Sequence, residues 1–299
     1  MSNLEFPRIT LVMPTYNVSG YLEEAIDSIL SQGYPNLEYI LIDGGSNDGT
    51  VDIIKKHEKH LSYWVSEKDR GAHHAINKGF AVSTGEIMGW LGGDDFHLPR
   101  SLFTIANAFR MSDKVRWISS VVCPVADETG AIVHIARHPG ISRASFLDGC
   151  HTEGMLPCST GFLQLESSYW RRDLWNAAGG RLRDELEFAG DFDLWARFFR
   201  FADIHCLYQP IAAFRVRSGQ NSANRSLYIK EAAASLVSLL REVGHNGTIT
   251  PPSGYRTYRG TYIINTANGL KGIASQDYRI LDMSVQNELK SLINGGLIG

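Results

Sequence analysis

The chain has 299 residues, 43% hydrophobic and 20% charged, with a formal net charge of −3. That is ample for one large or two smaller globular domains with a full core, and it lacks the basic excess that nucleic acid or an anionic membrane selects. No apolar run approaches the roughly 20 residues needed to cross a bilayer, and Met1-Ser2-Asn3-Leu4-Glu5-Phe6 lacks the basic start and apolar stretch of a secretory leader.

In chain order, Ile9-Thr10-Leu11-Val12-Met13 is an apolar run stopped by Pro14, which reads as a buried strand. Leu22, Ile26, Ile29 and Leu30 recur at helical spacing across about residues 20–32, with Asn17 or Ser19 as candidate cap. A second strand from Leu37 to Ile42 runs into the turn cluster Asp43-Gly44-Gly45-Ser46-Asn47-Asp48-Gly49, and Thr50 opens a helix to about Lys59. A third strand over 61–65 precedes Glu67-Lys68-Asp69-Arg70-Gly71; a helix over 72–81 and a fourth strand over 86–91 follow. Beyond Asp95, 115–122 reads as a strand, Asp127-Glu128-Thr129-Gly130 as a turn between two strands, and 137–165 as loops and short helices. Residues 168–178 and 191–201 pattern as helices, 204–208 and 211–216 as extended, and 225–243 as a helix on Leu227, Ala233, Leu236 and Leu240. Pro251-Pro252-Ser253-Gly254 breaks that helix, and the tail keeps a weaker helical pattern. Cys123, Cys150, Cys158 and Cys206 fit no CxxC metal spacing, so reduced thiols and a cytoplasmic location are expected, compatible with docking at the inner membrane face and with homo-oligomerisation.

Alternating strands and helices with short connections predict a mostly parallel, Rossmann-like α/β sheet covered on both faces. In such a sheet the strand ends that carry polar clusters lie together and form the ligand crevice. Those clusters are Thr15-Tyr16-Asn17, Asp43 to Asp48, Asp69 and Asp94-Asp95. Two adjacent carboxylates repel each other and resist desolvation unless a cation lies between them. A divalent ion carrying a diphosphate answers that need, whereas a solvated turn would be the bland alternative.

These segments resemble a nucleotide-sugar-dependent glycosyltransferase of the inverting family 2 type, with a GT-A fold. The likeness covers about residues 8–224. It rests on Val12 to Asn17, Ile42 to Thr50, Ser66 to Gly71, Ala75 to Gly79, Thr84 to Ile87, Asp94-Asp95, Tyr169 to Trp175 with Gly179-Gly180, and Gly190-Asp191-Phe192-Asp193-Leu194-Trp195. The resemblance implies a domain over 1–228, with a donor half at about 1–97 and an acceptor half at about 98–228, followed by a C-terminal helical extension over 229–299. It implies that Pro14, Thr15, Tyr16 and Asn17 line the base and ribose pocket, that Asp43 accepts a hydrogen bond from the base, and that Asp69 and Asn77 belong to the donor site. Asp94 and Asp95 would hold the ribose and a Mg²⁺ or Mn²⁺ ion, with Asp95 the direct ligand. Asp191 would be the general base, and Asp193 would orient it.

The chemistry suits these residue types. An attacking hydroxyl must lose its proton to a nearby carboxylate, and a departing nucleoside diphosphate gains charge that a metal on oxygen ligands can stabilise. Asp191 opens a helical pattern, where an acidic residue also serves as a plain cap. The pattern departs from the family at Arg217, near where relatives often carry a His able to reach the metal. A guanidinium stays protonated and cannot ligate a cation, but it can bind the diphosphate directly. A second departure is His74, where close relatives often have Asp; His73 and His74 are expected on the helix surface or pocket wall, and Gln164 and Glu166 facing the acceptor. The expected partners are a nucleotide-sugar donor, with uridine or thymidine diphosphate, and a glycan or lipid-linked acceptor used in cell-surface polysaccharide synthesis. A sugar-phosphate nucleotidyltransferase, lacking here its basic Gly-rich loop, and a non-catalytic carbohydrate-binding protein are the alternatives.

Overall fold

The computed structural model describes residues 6–151, 161, 163–220, 224–244, 255–266 and 269–281. Cys158, the Pro251 to Gly254 break and the tail beyond 281 lie outside the described residues. A nine-stranded sheet forms the centre, in the order β13-β12-β10-β6-β9-β4-β1-β2-β3. Its strands are β1 (Ile9–Thr15), β2 (Leu37–Asp43), β3 (Tyr63–Ser66), β4 (Ile87–Trp90), β6 (Trp117–Ser120), β9 (Ser168–Arg171), β10 (His205–Leu207), β12 (Tyr255–Thr266) and β13 (Gly269–Leu281). A four-stranded sheet, ordered β5-β11-β7-β8, lies alongside, from β5 (Phe96–His97), β11 (Ala212–Arg215), β7 (Val122–Ala126) and β8 (Ile132–Arg137).

The strands β3, β2, β1 and β4 are mutually parallel, as the alternating pattern predicts. Their side chains alternate between two apolar layers. Leu11, Met13, Tyr39 and Leu41 pack with α1 (Leu22–Leu30), α2 (Thr50–His57) and α4 (Ser101–Arg110), whereas Val12, Ile40, Ile42, Met88 and Trp90 pack with α3 (Ala72–Val82), α6 (Arg172–Ala177), α7 (Gly190–Phe198) and α8 (Arg225–Glu242). The one remaining α-helix among the described residues, α5 (Arg143–Leu147), adds Phe146 to the second layer.

Several elements differ from the sequence reading. The stretch 168–178 starts as a strand, because Tyr169 and Trp170 bond antiparallel to β6 and β4 before α6 begins. The expected strand over 115–122 is two strands broken at Val121, which pair in different sheets. Neither Asn17 nor Ser19 caps α1; their polar groups serve the loop after β2 instead. Leu227 is exposed, and the inward stripe of α8 runs through Ala232, Ser235, Leu236, Leu239 and Leu240. The helical extension is also corrected. Residues 255–266 and 269–281 are the antiparallel strands β12 and β13, and β12 continues the central sheet by pairing parallel with β10. Tyr258, Tyr262 and Tyr278 bury one face of the hairpin in the second apolar layer, while Ile263 turns the other way into the first. Among the described residues no helix is long and apolar enough to cross a membrane.

At the sheet end opposite the polar clusters, Glu38 is 3% exposed and accepts hydrogen bonds from Thr10 Oγ1, Thr84 N, Thr84 Oγ1 and Gly85 N, while Arg8 pairs with it at 3.0 Å. Burial alone would raise its pKa, but these donors pull it down to about 2. A folded pKa below the unfolded value of roughly 4.3 stabilises the fold above that value, and the contribution is lost as pH falls toward 2. Glu38→Gln should therefore cost roughly 2–3 kcal/mol at neutral pH and flatten the acid limb of the stability curve, measured by urea unfolding at stepped pH.

Candidate active site

The loops that follow β1, β2 and β4 are tied together by backbone bonds. Gly44 N donates to Thr15 O at 2.9 Å, and Gly93 N donates to Pro14 O at 3.2 Å. Asp43, fully buried at the end of β2, organises this junction. It accepts from Thr15 Oγ1, Ser46 Oγ, Ser66 Oγ and the N–H groups of Gly45 and Ser46. Five donors saturate a carboxylate, so contact with a base would require one of them to move away. Asn17, in a left-handed conformation with φ 50°, accepts from Asn47 N and donates its own N–H to Ser46 Oγ. Tyr16 is 62% exposed beside this loop, a free aromatic face at the mouth of the crevice. Asp69 accepts from Gly71 N at 2.8 Å and lies against Gly44. Asn77 does not join the crevice. Both ends of its amide bind the backbone of Leu182, at 2.8 and 2.9 Å, and so fasten α3 to the second half of the chain.

Asp94 and Asp95 leave β4 together but meet different surroundings. Arg217 donates from Nε to Asp94 Oδ2 at 2.7 Å. Asp95 is buried and accepts the Arg215 N–H on Oδ1 at 2.8 Å. Gly92 keeps the space beside both open. A Cβ there would lie 2.8 Å from Asp95 Oδ2 and 2.9 Å from Asp94 Oδ1, so these two oxygens face one small volume. This cradle fits a divalent cation held by two carboxylates, with phosphate oxygens and water completing its shell. Among the described residues no group of three acidic, His or Cys side chains forms an all-protein metal cage.

Glu166 is the third carboxylate. It lies in a one-turn 3₁₀ helix just before β9 and is 3% exposed. Burial raises its pKa to about 7, aided by the charges of Asp191 and Asp94. Asp95 is driven well above the ordinary carboxylate range by burial, by Glu166 and by Asp94. The two carboxyl groups interact with each other and so titrate as a pair. Gln164 turns away to Pro124 O and Ser167.

Asp191 stands in the first turn of α7, 6% exposed. Burial raises its pKa; the Phe192 N–H, the His73 imidazole and the Tyr228 hydroxyl oppose that rise. Gly190 lets the His73 ring lie flat against the helix start, since a Cβ would come within 2.7 Å of it. Asp193 does not share this crevice. It bonds Arg197 Nε at 2.8 Å, pairs with Arg183 at 3.3 Å and accepts from Ser235, a support for α7 rather than a reacting group. The two carboxylate groups are kept in register by aromatic packing beneath them. Trp90, four residues before Asp94, stacks parallel on Trp195, four residues after Asp191, at 5.9 Å. Trp170, Trp175, Phe198 and Phe199 are buried in the same cluster, as expected of core residues.

Arg215 was invisible to motif reasoning. It is 1% exposed; its Nε binds Asp94 O, its Nη1 the carbonyls of Asp127 and Glu128, and its Nη2 Glu24. Tyr21 lies beneath both guanidinium groups, 5.2 Å from Arg215 and 5.4 Å from Arg217. The Arg-x-Arg spacing was the available signal, because alternate residues of a strand end share a face.

Comparison with known proteins gives the family and the fold. The profile of Glycosyl transferase family 2 matches residues 10–145. EpsE of Bacillus subtilis, described as a putative glycosyltransferase, is 30% identical over 246 residues, covering 77% of this chain and 83% of its own length. The chain belongs to glycosyl transferase family 2. This family 2 glycosyltransferase is also 25% identical over 273 residues to an uncharacterized glycosyltransferase of Rickettsia felis, of whose length it spans 44%. Its fold is the GT-A fold. It superposes with a TM-score of 0.61 and 16% identity on S. aureus TarS 1–349 in complex with UDP-GlcNAc, covering 78% of this chain and 66% of that one. With the mannosyltransferase of Pyrobaculum calidifontis in complex with GDP-Man and Mn²⁺, the TM-score is 0.55 at 23% identity, over 83% and 67% of the two chains.

Holding Glu166 in the glycosyltransferase crevice costs stability. A folded pKa raised above the unfolded value means that the protonated form favours folding, and stability falls as pH rises from about 4.5 to 7. Glu166→Gln should therefore raise the thermal midpoint at pH 8, with a gain of roughly 2 kcal/mol that vanishes near pH 4. Calorimetric melts at both pH values check this.

Proposed function

We propose that the protein transfers a sugar from a uridine or thymidine diphosphate sugar to a hydroxyl of a glycan or lipid-linked acceptor, with inversion, in building cell-surface polysaccharide. One observation carries the reading: the buried Glu166 interacts electrostatically both with Asp94-Asp95 at the end of β4 and with Asp191 at the start of α7, so the two carboxylate groups lie near each other. A diphosphate at the first side and an acceptor hydroxyl at the second would put leaving group and nucleophile on opposite faces of the sugar, the arrangement for a single in-line displacement. Neighbouring structures of the same fold hold UDP-GlcNAc or GDP-Man, the latter with Mn²⁺.

In this reading Tyr16 offers its exposed ring to the base, while Pro14, Thr15, Asn17 and Asp69 shape the nucleoside pocket that Asp43 braces. Asp94 Oδ1 and Asp95 Oδ2 would hold Mg²⁺ or Mn²⁺ in the cradle beside Gly92. When bound, the ion would neutralise charge gathering on the leaving diphosphate. Arg217 adds a permanent cation. Its Nε is on Asp94 and its Nη1 on Ser218 O, while Nη2 carries no partner among the described residues and can reach toward phosphate oxygens. Asp191 takes the proton from the acceptor hydroxyl as the new bond forms. Asp193 acts through the helix that carries Asp191.

A hydrolysis panel of nucleotide sugars, with Mn²⁺ and with EDTA, tests the donor side; release of no nucleoside diphosphate from any donor would refute it. Asp191→Asn should leave nucleoside diphosphate binding unchanged in calorimetry while lowering transfer roughly a hundredfold or more. Asp95→Ala should lose the Mn²⁺-dependent part of the rate, and full activity in EDTA would leave Arg217 as the group that stabilises the leaving diphosphate. NMR of the product linkage reads the stereochemistry, and retention would move the base away from Asp191.

A further inference from the structure

The segment that carries Asp191 is gripped from one side by α8, at three positions of a single helical stripe. Tyr228, Glu231 and Ser235 are spaced i, i+3 and i+7, which puts them on one face of the helix. Tyr228 Oη donates to Asp191 Oδ1 at 3.2 Å and Oδ2 at 3.3 Å. The Glu231 carboxylate accepts the N–H groups of Glu187, Phe188 and Ala189 at 3.1, 2.9 and 2.8 Å. Ser235 Oγ donates to Asp193 at 3.3 Å. The three amides that Glu231 takes belong to the segment that leads into α7, so one carboxylate ties the approach to that helix to α8. All of α7 from Gly190 to Phe198 is buried, so any tilt of its first turn must be absorbed by this grip.

We infer that α8, which lies outside the stretch matched by the family profile, sets the geometry of the reaction. Tyr228 and Glu231 are positioning residues for Asp191, and Oδ2 is the oxygen that receives the acceptor's proton. This rests on the reading of Asp191 as general base. Oδ1 already accepts the Phe192 N–H at 2.7 Å as well as Tyr228, whereas Oδ2 accepts Tyr228 alone among the described residues. Tyr228 across both oxygens and the Phe192 N–H on one of them fix the plane of the carboxylate, which leaves the less occupied oxygen position for the acceptor. Glu231 acts one step further away. By fixing residues 187–189 it fixes the angle at which α7 starts, and with it the Asp191 side chain.

Two measurements on the intact 299-residue chain test this. The first is UDP release from UDP-N-acetylglucosamine or another active donor of the panel, with water as acceptor. Tyr228→Phe should lower kcat at least tenfold with donor KM within twofold of the parent, and Glu231→Ala should do the same, with Glu231→Asp partly restoring the rate. A parent-like kcat in Tyr228→Phe, or a change confined to KM, would overturn the assignment. The second is amide hydrogen exchange, which needs no substrate. In Glu231→Ala, residues 187–193 should exchange at least tenfold faster while β1 and β2 exchange as in the parent. Unchanged protection at 187–193, or acceleration spread evenly over the molecule, would show that α8 does not hold this segment. A parent enzyme that releases no nucleotide from any donor would defeat the functional reading alone, and the exchange experiment would still decide whether the grip exists.

Discussion

Asp94, Asp95, Glu166 and Asp191 are four carboxyl groups that feel one another's charge where little water remains to solvate them. Concentrating like charge in a poorly solvated space is expensive, and the surroundings show how the expense is met. Arg217 neutralises Asp94 directly, while Arg215 is sunk behind the pair and spread over two carbonyls, a backbone oxygen and Glu24. Burial and mutual repulsion push both Asp95 and Glu166 above the ordinary carboxylate range. The site rests on a dense layer of indole and phenyl rings, whose burial supplies favourable free energy that an unmatched charge cluster withdraws. The same layer fixes the Asp94-Asp95 loop relative to α7. A protein that stacks Trp90 on Trp195 beneath two facing carboxylate groups has limited freedom to let them drift apart.

The first four strands and their helices were legible because each carries a run of apolar residues closed by Gly, Pro or Asp, and because parallel strands with short crossovers admit few arrangements. The same logic placed Thr15, Asp43, Asp69 and Asp94 at one edge. It could not separate a polar residue that faces the ligand from one that braces a loop. Asp43 and Asn77 are spent on internal partners, and no feature of their local sequence distinguishes that from an open binding role. The family resemblance gave Asp193 the task of orienting Asp191, yet at i+2 on a helix the two side chains point to different faces. Arg197, four residues beyond Asp193, was the clue that Asp193 had its own partner.

The later half was less legible because its strands are short and pair over long distances. The four residues 168–171 carry no visible alternation, and only insertion between β4 and β6 makes them a strand. The C-terminal hairpin was masked by Tyr and Arg residues, whose spacing looks weakly helical until a sheet edge is available to receive them. Tyr228 and Glu231 lay in a helix recognised correctly, but its partner segment is some forty residues earlier. Such a contact follows from tertiary packing and has no local signature.

The place of β9 also bears on how the chain reaches its native state. β4 belongs to the part of the sequence that reads as donor-binding and β6 to the part beyond it, and β9 lies between them with ladders to both. The sheet is therefore not two halves laid side by side. Until residues 168–171 arrive, β4 presents an unpaired edge made of wholly buried apolar residues, the kind of surface that recruits other strands. Closure must wait for a segment about eighty residues downstream, so the loop entropy is met before the pairing repays it, which slows folding. A nascent chain ending near Asp95 would carry its finished nucleotide-side loops and still need protection from its own kind.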